Sequence, residues 1–353
     1  MNRRRKLLAF SAITLAGLAA TACASSSSSS STPTASAAAA SGSASASTGA
    51  SPSSAVNLSS VTLNVGDQKG TGAEAILKAA GLLSTLPFHV NWSDFTSGPP
   101  MLEAMASGSV DVGGVGDAPP VFAAAGGEGV VIVGARTVPT GDQDAVVVPK
   151  GSPITSIQQL KGKKIAYGSG SSGNYELLTV LTAAGLTTKD VSMVNLQPAD
   201  ALAAFTSGSV DAWAIWPPYV QQVVAQDGAK VLARGPQYGS PYSYEVASKS
   251  AVANPQKAAA IQAYLTTLDK AYVWAEKNPD AWGAAWASAT GLPASITDVA
   301  ATVDSTTPVV VDGAVTKSEQ ELVTQFYKAG LIPSAPNMSG FVTGQFNSSV
   351  SGG

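Results

Sequence analysis

The chain has one histidine, His89, and one cysteine, Cys23, and that scarcity decides most of what it can do chemically. A Cys/His metal cluster needs several such ligands and is excluded. A Ser-His-Asp triad would have to be built on His89, which falls inside a strand-like run. Residues 168–173, Gly-Ser-Gly-Ser-Ser-Gly, lack the G-x-S-x-G spacing of a nucleophile elbow and the Lys-Ser/Thr ending of a P-loop. Carboxylates are scattered over predicted helices and turns. No enzyme chemistry, cofactor or metal is expected.

What remains suits binding. Two Gly/Ser-rich turns, 70–72 and 168–173, each precede a helix-like run. A helix N-terminus carries about half a positive charge and unpaired N–H groups, and glycine lets an anion approach the backbone closely. The hydroxyls of Thr71, Ser169, Ser171 and Ser172 would add donors. Such turns are also ordinary helix caps, and both roles stay open. Asp117, ahead of Pro119 and Pro120, reads as an N-cap with proline in the first turn and, second, as an acceptor facing a ligand. Trp213 and Trp216 are three apart and do not share a face of a regular strand. One is expected in the core and one on a cleft wall. Trp274, Trp282 and Trp286 recur at helical spacing and read as core.

The elements that must position these residues are written twice. Ser-Gly-Ser-Val-Asp occurs at 107–111 and again at 207–211. Leu102 to Met105 parallels Leu202 to Phe205, Pro119-Pro120 parallels Pro217-Pro218, and Ala-Ala-Gly-Leu recurs at 79–82 and 183–186. Each unit reads as strand (61–65; 164–167), Gly/Ser turn, helix (73–80; 174–184) and strand (88–92; 192–196). A second helix then ends at Gly108 or Gly208, and a buried strand starts at Val110 or Val210. Gly81 and Gly185 fit the left-handed position that ends a helix. Strand–helix alternation predicts α/β lobes with mainly parallel pairing, which collect ligands at the carboxyl ends of strands. Unrepeated runs at 254–276, 280–289, 296–303 and 317–328 read as helices packing back on the first lobe.

The N-terminus belongs to targeting. Residues 3–6 are basic, residues 7–20 apolar, and Ala20-Thr21-Ala22 precede Cys23. That order reads as a signal peptide ending at a cysteine that resembles a lipobox, where two acyl chains give stable anchoring. Residues 24–57 are almost entirely Ser, Ala, Thr, Gly and Pro, a composition expected to stay a flexible tether. With a net charge of -3 and 12% charged residues, nothing supplies the basic field that nucleic acid requires.

Several segments resemble the aliphatic sulfonate-binding proteins of ABC importers. They are residues 67–70 (Asp-Gln-Lys-Gly), 95–104, 116–120 (Gly-Asp-Ala-Pro-Pro), 199–201 and 211–216 (Asp-Ala-Trp-Ala-Ile-Trp). Residues 152–154 and 160–165 are similar to a segment found across the wider group, which includes taurine, nitrate and thiamine-precursor binders. The resemblance implies a type II periplasmic-binding-protein fold, two lobes joined by two crossover strands near 144–148 and 242–246. It places lobe 1 at 58–145 and 244–353, and lobe 2 at 146–243. It implies capture of a small organic anion, hinge closure, delivery to an ABC permease, and a monomer outside the cytoplasmic membrane, anchored through Cys23. Carried over, Gln68, Gly98, Gly116 and Asp117 line the first wall, Ser171, Ser172 and Trp213 to Trp216 the second, and Tyr244 sits by the hinge. Pro217 stands where the family often has aspartate, and the 168–170 turn is unusually small, so the organic tail pocket is expected to differ. Two competitors are an enzyme resembling the thiamine-pyrimidine synthases, which need reactive His and Cys, and a surface interaction module.

Overall fold

The computed structural model describes residues 57–68, 72–138 and 143–350. The signal peptide, Cys23, the tether and most of the first Gly turn lie outside these residues.

The chain opens with β1 (Thr62–Gln68), α1 (Ala73–Ala79), β2 (His89–Phe95), α2 (Gly98–Ala106), β3 (Val112–Val115), α3 (Ala118–Gly126) and β4 (Val130–Thr137). It then crosses into β5 (Ala145–Val148), β6 (Lys164–Tyr167), α4 (Ser172–Ala183), β7 (Ser192–Asn195), α5 (Pro198–Thr206), β8 (Ala212–Ile215), α6 (Tyr219–Asp227) and β9 (Lys230–Arg234). It returns through β10 (Tyr242–Ser248), α7 (Lys249–Ala253), α8 (Pro255–Lys277), α9 (Pro279–Thr290), α10 (Ala294–Val303), β11 (Thr307–Val309) and α11 (Gly313–Lys328). Two sheets result, ordered β11-β4-β10-β3-β1-β2 and β7-β6-β8-β5-β9.

The sequence repeat is a repeat of pairing. β1 lies parallel to β2 and β3 as β6 lies parallel to β7 and β8. β10 is antiparallel to β3 and β4, and β5 is antiparallel to β8 and β9. Each sheet thus has one reversed inner strand, and that strand is the first one after a crossing. This is the two-lobed α/β fold that the resemblance implies.

The duplicated pentapeptide is structural. The Asp111 carboxylate accepts from the Asn64 amide at 2.9 Å, and Asp211 accepts from the Lys164 amide at 2.8 Å. Each aspartate ties the loop before one strand to its parallel neighbour, and the paired serines stay on the surface. Gly81 and Gly185 have φ of 71° and 70°, the helix-ending conformation expected of them. α11 begins four residues before the predicted 317 because Asp312 caps it, accepting from the Ala314 and Val315 amides.

The lobes meet. Tyr175 and Leu178 of α4 pack with Ala118 and Val121 of α3 and Phe326 of α11, with the Tyr175 and Phe326 rings 5.7 Å apart. The Thr96 and Ser97 hydroxyls both donate to Gln197 Oε1, at 2.8 and 3.0 Å. A glycine turn fits the second lobe under the first: a Cβ at Gly170 would lie 3.1 Å from the Phe122 ring.

Candidate functional site: the cleft between the lobes

A cavity of about 110 Å³ lies between the two sheets, at the carboxyl ends of their parallel strands. Gln68, Gly98, Gly116, Ser171, Ser172 and Trp216 line it. Asp117 faces a smaller adjoining cavity with Asp144, Ser172 and Glu176; its carboxylate accepts from the Ala118 amide at 2.7 Å and begins α3. Burial, reinforced by the charge of Asp144, raises the Asp117 carboxyl well above its usual range.

Two of the candidate site residues, Trp213 and Tyr244, lie outside the cavity lining, and of the two tryptophans Trp213 is the core one. Trp213 is fully buried in the second lobe, between Phe205 and Tyr219 at ring distances of 5.9 and 5.7 Å. Strand alternation in β8 puts it in the hydrophobic layer, while Trp216, just past the strand end, reaches the cleft. Tyr244 is likewise fully buried, among Met101, Val115 and Val315. Its neighbours on β10, Ser243 and Glu245, face the cavity instead. Trp282, expected as core alone, does both: it stacks on Trp286 at 5.3 Å and forms part of the cavity wall.

The expected symmetry of two anion-ready turns does not hold. In the first lobe the Asp67 carboxylate occupies the N-terminus of α1, accepting from the amides of Gln68 (2.9 Å), Ala73 (2.9 Å) and Glu74 (3.1 Å). The protein supplies its own anion there. Burial pushes the Asp67 carboxyl up to about 7 despite those three bonds. In the second lobe the Ser171 hydroxyl accepts from the Asn174 amide at 3.3 Å and donates to the Gly168 carbonyl at 2.7 Å. Ser172, at the start of α4, faces the cavity. In the first lobe the counterpart is α2. No side chain caps it, and Pro99 and Pro100 follow Gly98 in its first turn, so the Gly98 amide is the one N–H in its first three residues. Gln68 borders this end, its amide nitrogen donating to the Gly114 carbonyl at 2.9 Å.

Sequence reasoning missed the charged part of the site. Arg136 of β4 donates to Glu245 Oε1 at 2.7 Å, and its guanidinium lies 4.2 Å from the Tyr272 ring centre. Burial works against the Arg136 charge, but Tyr272, Glu245 and Asp269 outweigh it and hold its pKa above the usual range. Gln143 donates to Asp304, whose carboxyl burial raises to about 7, against the pull of that bond and of Arg136. Asp144 is pushed by burial up to about 6, opposed by the Ser172 hydroxyl and the charge of Arg234. The one signal for this group was an arginine ending the apolar run 130–137 in a chain with so few charges.

The site can hold and orient a small polar molecule, with the N-termini of α2 and α4 at one end and the Arg136–Glu245 ion pair at the other. Among the described residues no group of three or more His, Cys, Asp or Glu is placed to hold a metal, and no helix is long and apolar enough to cross a membrane.

Comparison with known proteins agrees with this geometry. The NMT1/THI5-like family model matches residues 97–282. The alkanesulfonate-binding protein SsuA of Xanthomonas axonopodis pv. citri, solved bound to MOPS, superposes with a TM-score of 0.75 at 31% identity, over 81% of this chain and 99% of that one. The periplasmic aliphatic sulphonate binding protein SsuA of Escherichia coli gives a TM-score of 0.70 at 34% identity, over 80% and 92%. The taurine-binding periplasmic protein of Escherichia coli (strain K12) is 32% identical over 198 residues, 55% of this chain and 59% of that one. These relatives are binding proteins, and by its family model, its sequence and its two-lobed architecture the chain belongs to the NMT1/THI5-like family, alongside the SsuA sulfonate-binding proteins.

Proposed function

We propose that this chain is the extracytoplasmic solute-binding subunit of an ABC importer. It captures a small organic anion, with an aliphatic sulfonate the first candidate, and delivers it to a membrane permease. The supporting observation is the cleft itself. The Gly98 amide at the start of α2 and the first turn of α4 at Ser172 bring helix N-termini from both lobes to one cavity, the arrangement that favours an acid head. The lobes close over it through the Gln197 bonds, as hinge closure on a solute requires. The chain works as a monomer tethered to the outer face of the cytoplasmic membrane, with Cys23 lipidated and residues 24–57 as the tether; the order of residues 3–23 supports this.

Thermal unfolding of the full chain against alkanesulfonates of increasing length, taurine, sulfate, nitrate and uncharged analogues tests the reading. A ligand at one hundred times its Kd adds ~2.7 kcal/mol. A shift with sulfonates and none with uncharged analogues is expected. A shift with nitrate or a cationic pyrimidine alone moves the chain to a sister group of the family, and no shift at all favours a surface interaction module. Radiolabelled palmitate appearing on the wild type and not on Cys23→Ser tests the anchor.

A further inference from the structure

The charges that the described residues bring to the cavity have the wrong sign for a simple anion. Among the described residues five carboxyl side chains line it, Asp67, Asp144, Glu245, Glu276 and Asp304, against one guanidinium, Arg136. Arg136 is paired with Glu245, while the charge of Arg234 acts on Asp144 without forming an ion pair with it. Asp67, bonded only by backbone amides, and Asp304 have no ion pair among the described residues, and neither has Glu276 at the exposed rim. An uncompensated carboxylate in a buried site is costly, and a second anion brought beside it more so.

A second observation points the same way. Glu245 Oε2, Ser243 Oγ and Thr306 Oγ1 belong to cavity-lining residues at least nine-tenths buried, and none of these atoms has a hydrogen-bond partner. All three can accept. They come from β10 and from the segment between α10 and β11, the elements that also carry Glu245 and Asp304. Tyr272 of α8 gathers this end, since its phenol feels the charges of Arg136, Glu245, Asp304 and Asp67 together. The donor end is separate: Gly98 lies against Pro119, and Gly116 against Ser172.

We infer that the cleft holds a subsite for a positively charged group, formed by Asp67, Asp304 and Glu276 with the buried acceptors of Glu245 and Thr306, so that the captured molecule is a zwitterion. Its acid head meets Gly98, Ser171 and Ser172, and a short chain carries a protonated amine to the carboxylates. The inference rests on the cleft being the solute site. It adds what the other end of the solute must be.

Calorimetric titration of the full chain at slightly alkaline pH compares three probes of equal length: propanesulfonate, the same sulfonate with a terminal amine, and the N-acetylated form of that amine. The amine is expected to bind at least about tenfold tighter than either partner. Glu276→Gln, at the exposed rim of the cavity, and Asp304→Asn should each weaken binding of the amine and shrink that preference, while propanesulfonate, relieved of a neighbouring carboxylate, binds no more weakly than to the wild type. Propanesulfonate binding as tightly as the amine overturns the cationic subsite and leaves the sulfonate reading standing. If no sulfonate binds, the sulfonate reading fails, and propylamine decides the subsite alone: binding that Glu276→Gln weakens supports it, and no binding overturns it.

Discussion

Gly116, at the end of β3, and Ser172, at the start of α4, touch across the cleft: a Cβ at position 116 would stand 2.9 Å from the Ser172 Cβ. That contact exists only while the lobes are together. A methyl group at 116 therefore acts as a wedge against closure and not as a fault in either lobe. Gly116→Ala is expected to weaken binding of the best sulfonate between about 5- and 150-fold, the equivalent of 1–3 kcal/mol of overpacking. The unfolding temperature of the ligand-free protein should move little. Calorimetry beside thermal unfolding checks both halves.

The Arg136–Glu245 pair is buried beneath Tyr272, with side chains 9% and 3% exposed. Removing one partner strands the other charge. Glu245→Ala is expected to cost about 3–5 kcal/mol, which at ~2–4 °C per kcal/mol lowers the unfolding midpoint by roughly ten degrees. Glu245→Gln keeps an acceptor and should cost less. Chemical denaturation of both variants measures the difference.

These two contacts show where sequence reasoning succeeds and stops. The repeat, the helix-ending Gly81 and Gly185, and the aspartates at 111 and 211 are local and periodic, so spacing exposes them. Asp67 capping α1 spans six residues, within reach of inspection, but its glycine turn reads equally well as an empty anion site. Arg136, Glu245, Tyr272 and Asp304 meet only because β4 and β10 are adjacent and the returning helices fold over them. No pattern in the chain records that meeting. Tyr244, a candidate site residue beside the hinge, differs for another reason: its strand is where the sequence puts it, and alternation turns its side chain into the core while Ser243 and Glu245 face the cavity.

Trp213 and Trp216 separate stability from binding. Trp213 is fully buried and Trp216 is half-buried at the cavity. Trp213→Ala is expected to cost about 3–5 kcal/mol, the range for deleting a large core aromatic. Trp216→Ala should leave stability within about 1 kcal/mol and raise the Kd for any ligand with an organic tail. Equal stability losses in the two variants would contradict the placement of Trp216 on the cleft wall.

The buried carboxyls also set the pH dependence of the empty protein. Asp67 and Asp304 are pushed up to about 7 and Asp144 up to about 6, each by burial first, against an unperturbed 3.8. A raised carboxyl pKa means that the folded chain holds more protons than the unfolded chain between the two values. Stability from these groups is therefore fully present below about pH 4 and is lost as pH rises through 6 and 7. Groups facing Asp304 pull both ways, Arg136 lowering its pKa and Asp144 raising it, and burial prevails. Asp269, pushed by burial up to about 6 against the Ser349 hydroxyl and the charge of Arg136, adds to the same slope. The unfolding midpoint of the ligand-free protein should fall between pH 5 and pH 8, where many proteins are near their maximum. Asp304→Asn, which keeps the acceptor for Gln143, should flatten that slope. A midpoint that rises across the same interval would mean that these carboxyls are charged in the empty cleft and stabilised by a partner other than a solute.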